Sequence, residues 1–165
     1  MSCEQSARTD IEFRRLTDVS TADIVELMNQ PSLRQFMPLL QEGFCDADCA
    51  AFVLAKESLW HDHGYGPWGF YVGGQFAGWG GLQPENGEPD LAIVLHPRFW
   101  GLGRRLFEEI IGRAFGEMGF ETVTALLPPS RTRVKGMTRL GFYRDGELEI
   151  NGEMFVRFRL DSSPR

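Results

Sequence analysis

From residue 93 the chain reads Ile93-Val94-Leu95-His96-Pro97-Arg98-Phe99-Trp100-Gly101-Leu102-Gly103-Arg104-Arg105-Leu106: an apolar run, a turn containing two glycines, and the start of an amphipathic segment. Glycine lets a backbone come close to a ligand. The first amides of a helix have no partner inside it, so such a turn can grip a phosphate with the help of the helix dipole. Arg98, Arg104 and Arg105 add positive charge there. An ordinary strand-to-helix turn uses the same residue types. A P-loop would end in Gly-Lys-Ser/Thr, and a dinucleotide fingerprint would need a third glycine where Leu106 stands. Neither a nucleoside triphosphate nor NAD is favoured.

Glu88 and Asp90 precede the apolar run, and a carboxylate at the start of a strand can take a proton from a substrate or simply end a turn. Cys45, Cys49, His61 and His63 include two thiols one helical turn apart followed by His-x-His. That spacing fits no common zinc module, and no metal is expected.

These residues need a scaffold. A chain of 165 residues, 42% hydrophobic and 24% charged, suits one globular domain with a real core and excludes disorder along its length. The longest aliphatic stretch, Leu91 to Leu95, is far short of the roughly 20 apolar residues that span a bilayer. The polar first ten residues show no secretory signal. Cys3, Cys45 and Cys49 form no even framework, so a reduced, cytoplasmic compartment is expected. Residues 1–97 carry five Lys/Arg against fourteen Asp/Glu, residues 98–165 twelve against nine, a net of −9 beside +3. Such a split suits a protein that holds an anion with its second half and meets a cation with its first. The net charge of −6 argues against nucleic acid as a partner.

Hydrophobic periodicity predicts the order of elements. Ile11 and Phe13 alternate in a short first strand ending at Thr17-Asp18. Thr21 to Gln30 is a helix behind Ser20 as N-cap, stopping before Pro31. Asp46 caps a second helix in which Cys49, Phe52, Val53, Leu59 and Trp60 share an apolar face. Trp68 to Val72 and Gln75 to Leu82 form a hairpin about Gly73-Gly74, followed by a strand from Asp90 to Leu95. A helix then carries Leu106, Ile110, Ala114 and Met118 on one side. Thr122 to Leu127 is a strand, Thr132 to Leu140 a helix, and the strands Phe142 to Ile150 and Glu153 to Leu160 turn at Asn151-Gly152.

Arg98-x-x-Gly101-x-Gly103 resembles the Gln/Arg-x-x-Gly-x-Gly/Ala pyrophosphate loop of the GNAT superfamily of acyl-CoA-dependent N-acetyltransferases. Aligned on Pro97 instead, the loop reads Trp100-Gly101-Leu102-Gly103, with Arg105 where a small residue is usual. The likeness runs from Phe13-Arg14-Arg15-Leu16-Thr17 to the final hairpin. Phe76-Ala77-Gly78-Trp79-Gly80-Gly81-Leu82, His96-Pro97 and Leu140-Gly141-Phe142 look most like the RimJ/RimL branch. Ser130 and Met137 depart from the pattern, standing where Asn and Tyr are common.

The resemblance implies a single-domain α/β fold with a central mixed, mostly antiparallel twisted sheet and about four helices. The acyltransferase domain would span 11–160, between a flexible N-terminus at 1–10 and a tail at 161–165. It implies acetyl-CoA held by Val94, Leu95, Arg98, Trp100, Gly101, Leu102, Gly103, Arg104 and Arg105, with Ser130 on the pantetheine arm. A backbone amide at Val94 or Leu95 would bond the thioester oxygen. Asp90 matches an acidic position common in RimL-like sequences and is the expected base, followed by Glu88, with Tyr143 as a possible acid. The acceptor would meet the segment from Gln30 to Phe44, and Phe36, Met37, Trp60, Trp68 and Trp79 could line its pocket. The expected activity is acetyl transfer to a primary amine, either a protein or peptide N-terminus or a small amine, by direct attack in a ternary complex of a monomer or homodimer. The alternative is a CoA-binding sensor or scaffold that has lost catalysis, an option Met137 and Ser130 keep open.

Overall fold

The computed structural model describes residues 10–34, 43–129 and 134–162. The chain is an α/β protein whose seven strands make one mixed sheet in the order β1-β2-β3-β4-β5-β7-β6. Two compact units divide it. One comprises residues up to 80 together with 93–105; the other comprises 81–92 together with 106–165.

In the first unit β1 (Ile11–Arg14) pairs antiparallel with β2 (Pro67–Val72), Phe13 opposite Phe70. Next comes a 3-10 turn at Leu16–Asp18, then α1 (Thr21–Met28), where the Ser20 hydroxyl accepts the Asp23 N–H as its cap. Ile24, Leu27 and Met28 bury one face of α1. The helix ends on Asn29, whose amide donates to the carbonyls of Val25 and Phe44 and accepts the Phe44 N–H. The helix stops before Pro31, as expected, and Pro31 then opens a further turn, α2 (Pro31–Arg34), because proline lacks only an N–H that a first helical position does not need. With this turn the described residues form five helices, where about four were expected. Asp46 is the first residue of α3 (Asp46–His63) rather than its cap. The Cys45 N–H before it donates to the Asp48 carboxylate. Leu16, Ile24, Leu27, Cys49, Tyr71 and Trp79 form the core of this unit.

β3 (Gln75–Glu85) and β4 (Glu88–Leu95) each belong partly to both units. Within the first, they approach so closely that a Cβ on Gly78 would stand 2.1 Å from the Val94 carbonyl oxygen and 2.9 Å from Leu95 Cα. In the second unit, Asn86 and Gly87 turn β3 into β4 with positive φ at both positions. α4 (Gly103–Gly112) lies mostly there and widens into a π turn at Arg113–Glu117, the Met118 N–H reaching the Arg113 carbonyl. β5 (Thr122–Leu127) runs parallel to β4, in register at Asp90 and Thr124, and antiparallel to β7 (Glu153–Asp161). β6 (Tyr143–Ile150) pairs antiparallel with β7 about the Asn151-Gly152 turn. α5 (Val134–Arg139) ends one residue before the predicted Leu140, and residues 132 and 133 of the predicted helix lie outside the described range.

Candidate active site

The glycine turn is built by what precedes it. β4 ends at Leu95, Pro97–Leu102 winds as a 3-10 helix, and α4 begins at Gly103. His96 caps the 3-10 helix, its Nδ1 accepting the Arg98 N–H at 3.2 Å. The Trp100 indole N–H donates to the Leu95 carbonyl at 3.0 Å while 53% of the residue remains exposed. Arg98 places its guanidinium over the Phe99 ring. Among the described residues, chain neighbours and the helix's own backbone aside, no atom lies within 4 Å of where a Cβ on Gly101 would stand, and at Gly103 only Leu95 Cδ1 does, at 4.0 Å. Gly103 has ordinary right-handed helical geometry. Packing in the fold therefore leaves both positions open, and the missing side chains leave room for something outside the chain.

Asp90 and Glu88, two residues apart on β4, have opposite surroundings, both in the second unit. Asp90 is only 9% exposed, and the Thr124 hydroxyl donates to its Oδ1 at 2.8 Å. Burial pushes its pKa up to about 7; the Thr124 hydrogen bond opposes this, and the charges of Glu85 and Glu88 add to it. Glu88 accepts from both terminal nitrogens of Arg159, which hold its carboxyl below the usual range. Arg159 also donates to Asp145. Tyr143 stands on β6 and donates to the Asp161 carboxylate at 3.2 Å. Ser130 lies outside the described residues, as do Phe36 and Met37.

The three tryptophans separate in the same way. Trp60 donates to the Pro67 carbonyl, meets Trp68 edge-on and carries the Arg15 guanidinium over its ring. Trp68 is buried against Phe13. Both are occupied by the fold. Trp79 packs on Phe52, and its buried indole N–H has no partner among the described residues. Cys49 is buried, which pushes its thiol up, whereas Cys45 is exposed. Among the described residues no group of three His, Cys, Asp or Glu side chains is placed to hold a metal. No described helix is long and apolar enough to cross a membrane.

Two residues that decide the state of the carboxylates, Thr124 and Arg159, carry no sequence signal. Thr124 lies 34 positions from Asp90 and Arg159 lies 71 from Glu88. Only the pairing of β4 with β5, and of β5 with β7, brings them together.

The mixed sheet thus has a parallel pair at β4 and β5, and a glycine turn leads from β4 into a helix. The chain belongs to the acetyltransferase (GNAT) domain family, whose model matches residues 10–142. It is similar to an acetyltransferase from Agrobacterium tumefaciens at 18% identity, with 94% of this chain and 93% of that one covered and a TM-score of 0.71. The aminoglycoside acetyltransferase AAC(6')-Ib in complex with coenzyme A and kanamycin matches at 16%, with 93% and 95% covered and a TM-score of 0.71. A spermidine N-acetyltransferase SpeG chimera from Vibrio cholerae and hSSAT matches at 12%, with 94% and 96% covered and a TM-score of 0.68. Comparison with curated proteins yields no significant match.

Proposed function

We propose that the protein is an acetyl-CoA-dependent N-acetyltransferase acting on a primary amine that carries further positive charge. The observation that carries this reading is a buried carboxyl, Asp90, whose pKa of about 7 equips it to exchange a proton near neutrality, on a strand that ends in an open glycine turn. The turn of residues 98–105 would hold the pyrophosphate, with Gly101 and Gly103 admitting it and Arg98, Arg104 and Arg105 balancing its charge. Trp100, anchored by its N–H and exposed over its ring, would offer the cofactor an apolar face.

In the reaction the protonated amine loses one proton to Asp90, directly or through water, its nitrogen attacks the thioester carbon, and the second proton that the nitrogen sheds as the amide forms goes to solvent. A backbone amide at Val94 or Leu95 would bond the oxygen as negative charge develops there, a contribution of about 3 kcal/mol for a preorganised donor. The carbon–sulfur bond then breaks, and the thiolate leaves with a proton from solvent or from the base. Glu88 is a poor base here because Arg159 holds it as an anion. The similar structures were solved with, or are named for, amines such as kanamycin and spermidine, and the acidic first part of the chain favours acceptors of that charge. Protein or peptide N-termini are the other class implied by the RimJ/RimL-like motifs.

The test is thiol release from acetyl-CoA against a panel of polyamines, aminoglycosides, amino acids and peptides. Turnover with a cationic amine is the expected result. Coenzyme A binding without turnover on any of them would replace this reading with a non-catalytic CoA-binding module.

A further inference from the structure

We propose that His96 is a positioning residue for the cofactor turn, its ring held in the required tautomer by Glu26 on α1. This rests on the reading of residues 98–105 as the coenzyme A site. A 3-10 helix has strained hydrogen bonds, and its first N–H groups need acceptors from outside. His96 supplies one, through Nδ1 on the Arg98 N–H at 3.2 Å. Nδ1 can accept only if the ring is neutral with its proton on Nε2. Glu26 Oε1 lies 3.5 Å from Nε2, where it favours that tautomer.

The His96 backbone is fixed as well. Its N–H donates to the Ala77 carbonyl at 2.8 Å, and its own carbonyl accepts the Phe99 N–H at 2.8 Å. The side chain is 14% exposed, so the ring is packed in place. The turn is thus formed before any ligand arrives, and binding loses less free energy to ordering it.

The residue type matters. Ser, Thr, Asp and Asn are the usual caps, and histidine is not among them. A carboxylate cap would set negative charge beside a bound pyrophosphate. A neutral imidazole caps the turn without that charge.

Four variants separate a cofactor role from a merely structural one, read by calorimetry with coenzyme A and by the split between KM and kcat for acetyl-CoA. His96→Asn places an oxygen near Nδ1 and should bind within about twofold of the unaltered protein. His96→Gln places it near Nε2 and His96→Ala removes it. Both should bind about 5- to 10-fold more weakly, in line with the loss of a cap, with the effect on KM rather than kcat. His96→Asp should keep the melting temperature of His96→Asn yet bind coenzyme A at least as weakly as His96→Gln. A purely structural cap would not produce that divergence. Should His96→Ala fail to fold, the Asn, Gln and Asp set decides alone. The inference is overturned if His96→Gln binds like the unaltered protein, if His96→Asn is as weak as His96→Gln, or if His96→Asp binds like His96→Asn. Failure of the unaltered protein to bind coenzyme A would remove the reading of the turn, and this inference with it.

Discussion

Arg159 takes both carboxylate oxygens of Glu88, Nη1 on Oε2 and Nη2 on Oε1, reaching from β7 to the start of β4. Two acidic residues on one strand thereby have different surroundings: one is held as an anion by a guanidinium, while the other is buried and accepts a hydrogen bond from the Thr124 hydroxyl. Glu88→Gln should lower stability by about 1–2 kcal/mol, the usual worth of a charge-assisted pair in partly buried surroundings. It should keep the pH–rate profile of the unaltered enzyme. A profile that loses its limb near pH 7 would transfer the role of base to Glu88.

Asp90→Asn should behave in the opposite way. Turnover should fall by about 10²–10⁴, with coenzyme A affinity changed much less, because an acid/base group is lost and the cofactor turn is untouched. In the unaltered enzyme, the rate should rise through about pH 7 as Asp90 ionises. The variant should lack that limb, and its retention would remove Asp90 from the mechanism.

The same residue links stability to pH. The folded-state pKa of Asp90 is raised from 3.8 to about 7, so the fold binds the proton more tightly than the unfolded chain does. Its contribution is therefore intact below about pH 4 and is lost as pH rises through 7, by up to about 4 kcal/mol. Asp90→Asn never ionises. It should match the unaltered protein at or just below about pH 4 and exceed it in denaturant midpoint at about pH 8–9. Equal midpoints at both ends of the range would show that the carboxyl is not desolvated.

Gly103→Val should fold normally, since among the described residues beyond its own helix only Leu95 Cδ1 comes as near as 4.0 Å to the new Cβ, yet it should weaken coenzyme A binding at least tenfold by filling the approach to the turn. Unchanged calorimetric affinity in a folded variant would place the pyrophosphate elsewhere.

Gly78→Ala should fail for the reason Gly103→Val succeeds. Its Cβ would meet the Val94 carbonyl and Leu95 Cα, which are backbone atoms that no rotamer change can move. A loss of about 1–3 kcal/mol or more is expected. A wild-type melting temperature would mean that β3 and β4 separate there more readily than their spacing indicates.

The sequence allowed the order of strand, glycines and helix to be read, because they are contiguous and each element carries its own periodicity, but not the 3-10 helix Pro97–Leu102 between them. The cap at Ser20 and the turns at Gly73-Gly74 and Asn151-Gly152 were equally local. Asp90 was legible as a carboxylate before a strand, but its burial was not, because tertiary packing produces it; nor was its hydrogen-bond donor, Thr124, which lies 34 positions away on a parallel strand. The aromatic residues were the least legible. Trp60, Trp68 and Trp79 look alike as letters, and only packing shows that the first two pack on each other while the indole N–H of Trp79 has no partner among the described residues.

The place of β7 in the sheet orders the assembly of the second unit. Glu153–Asp161 is the last strand in sequence, yet it lies between β5 and β6 and hydrogen-bonds to both. β6 and β7 are joined by a two-residue turn, so their hairpin can form on the microsecond scale from local contacts alone. β5, some thirty residues earlier, has no antiparallel neighbour until that hairpin docks as a preformed pair, which costs a long loop closure. During synthesis the backbone of β5 must therefore wait with one edge open, and the docking of β7 is the step that seals it.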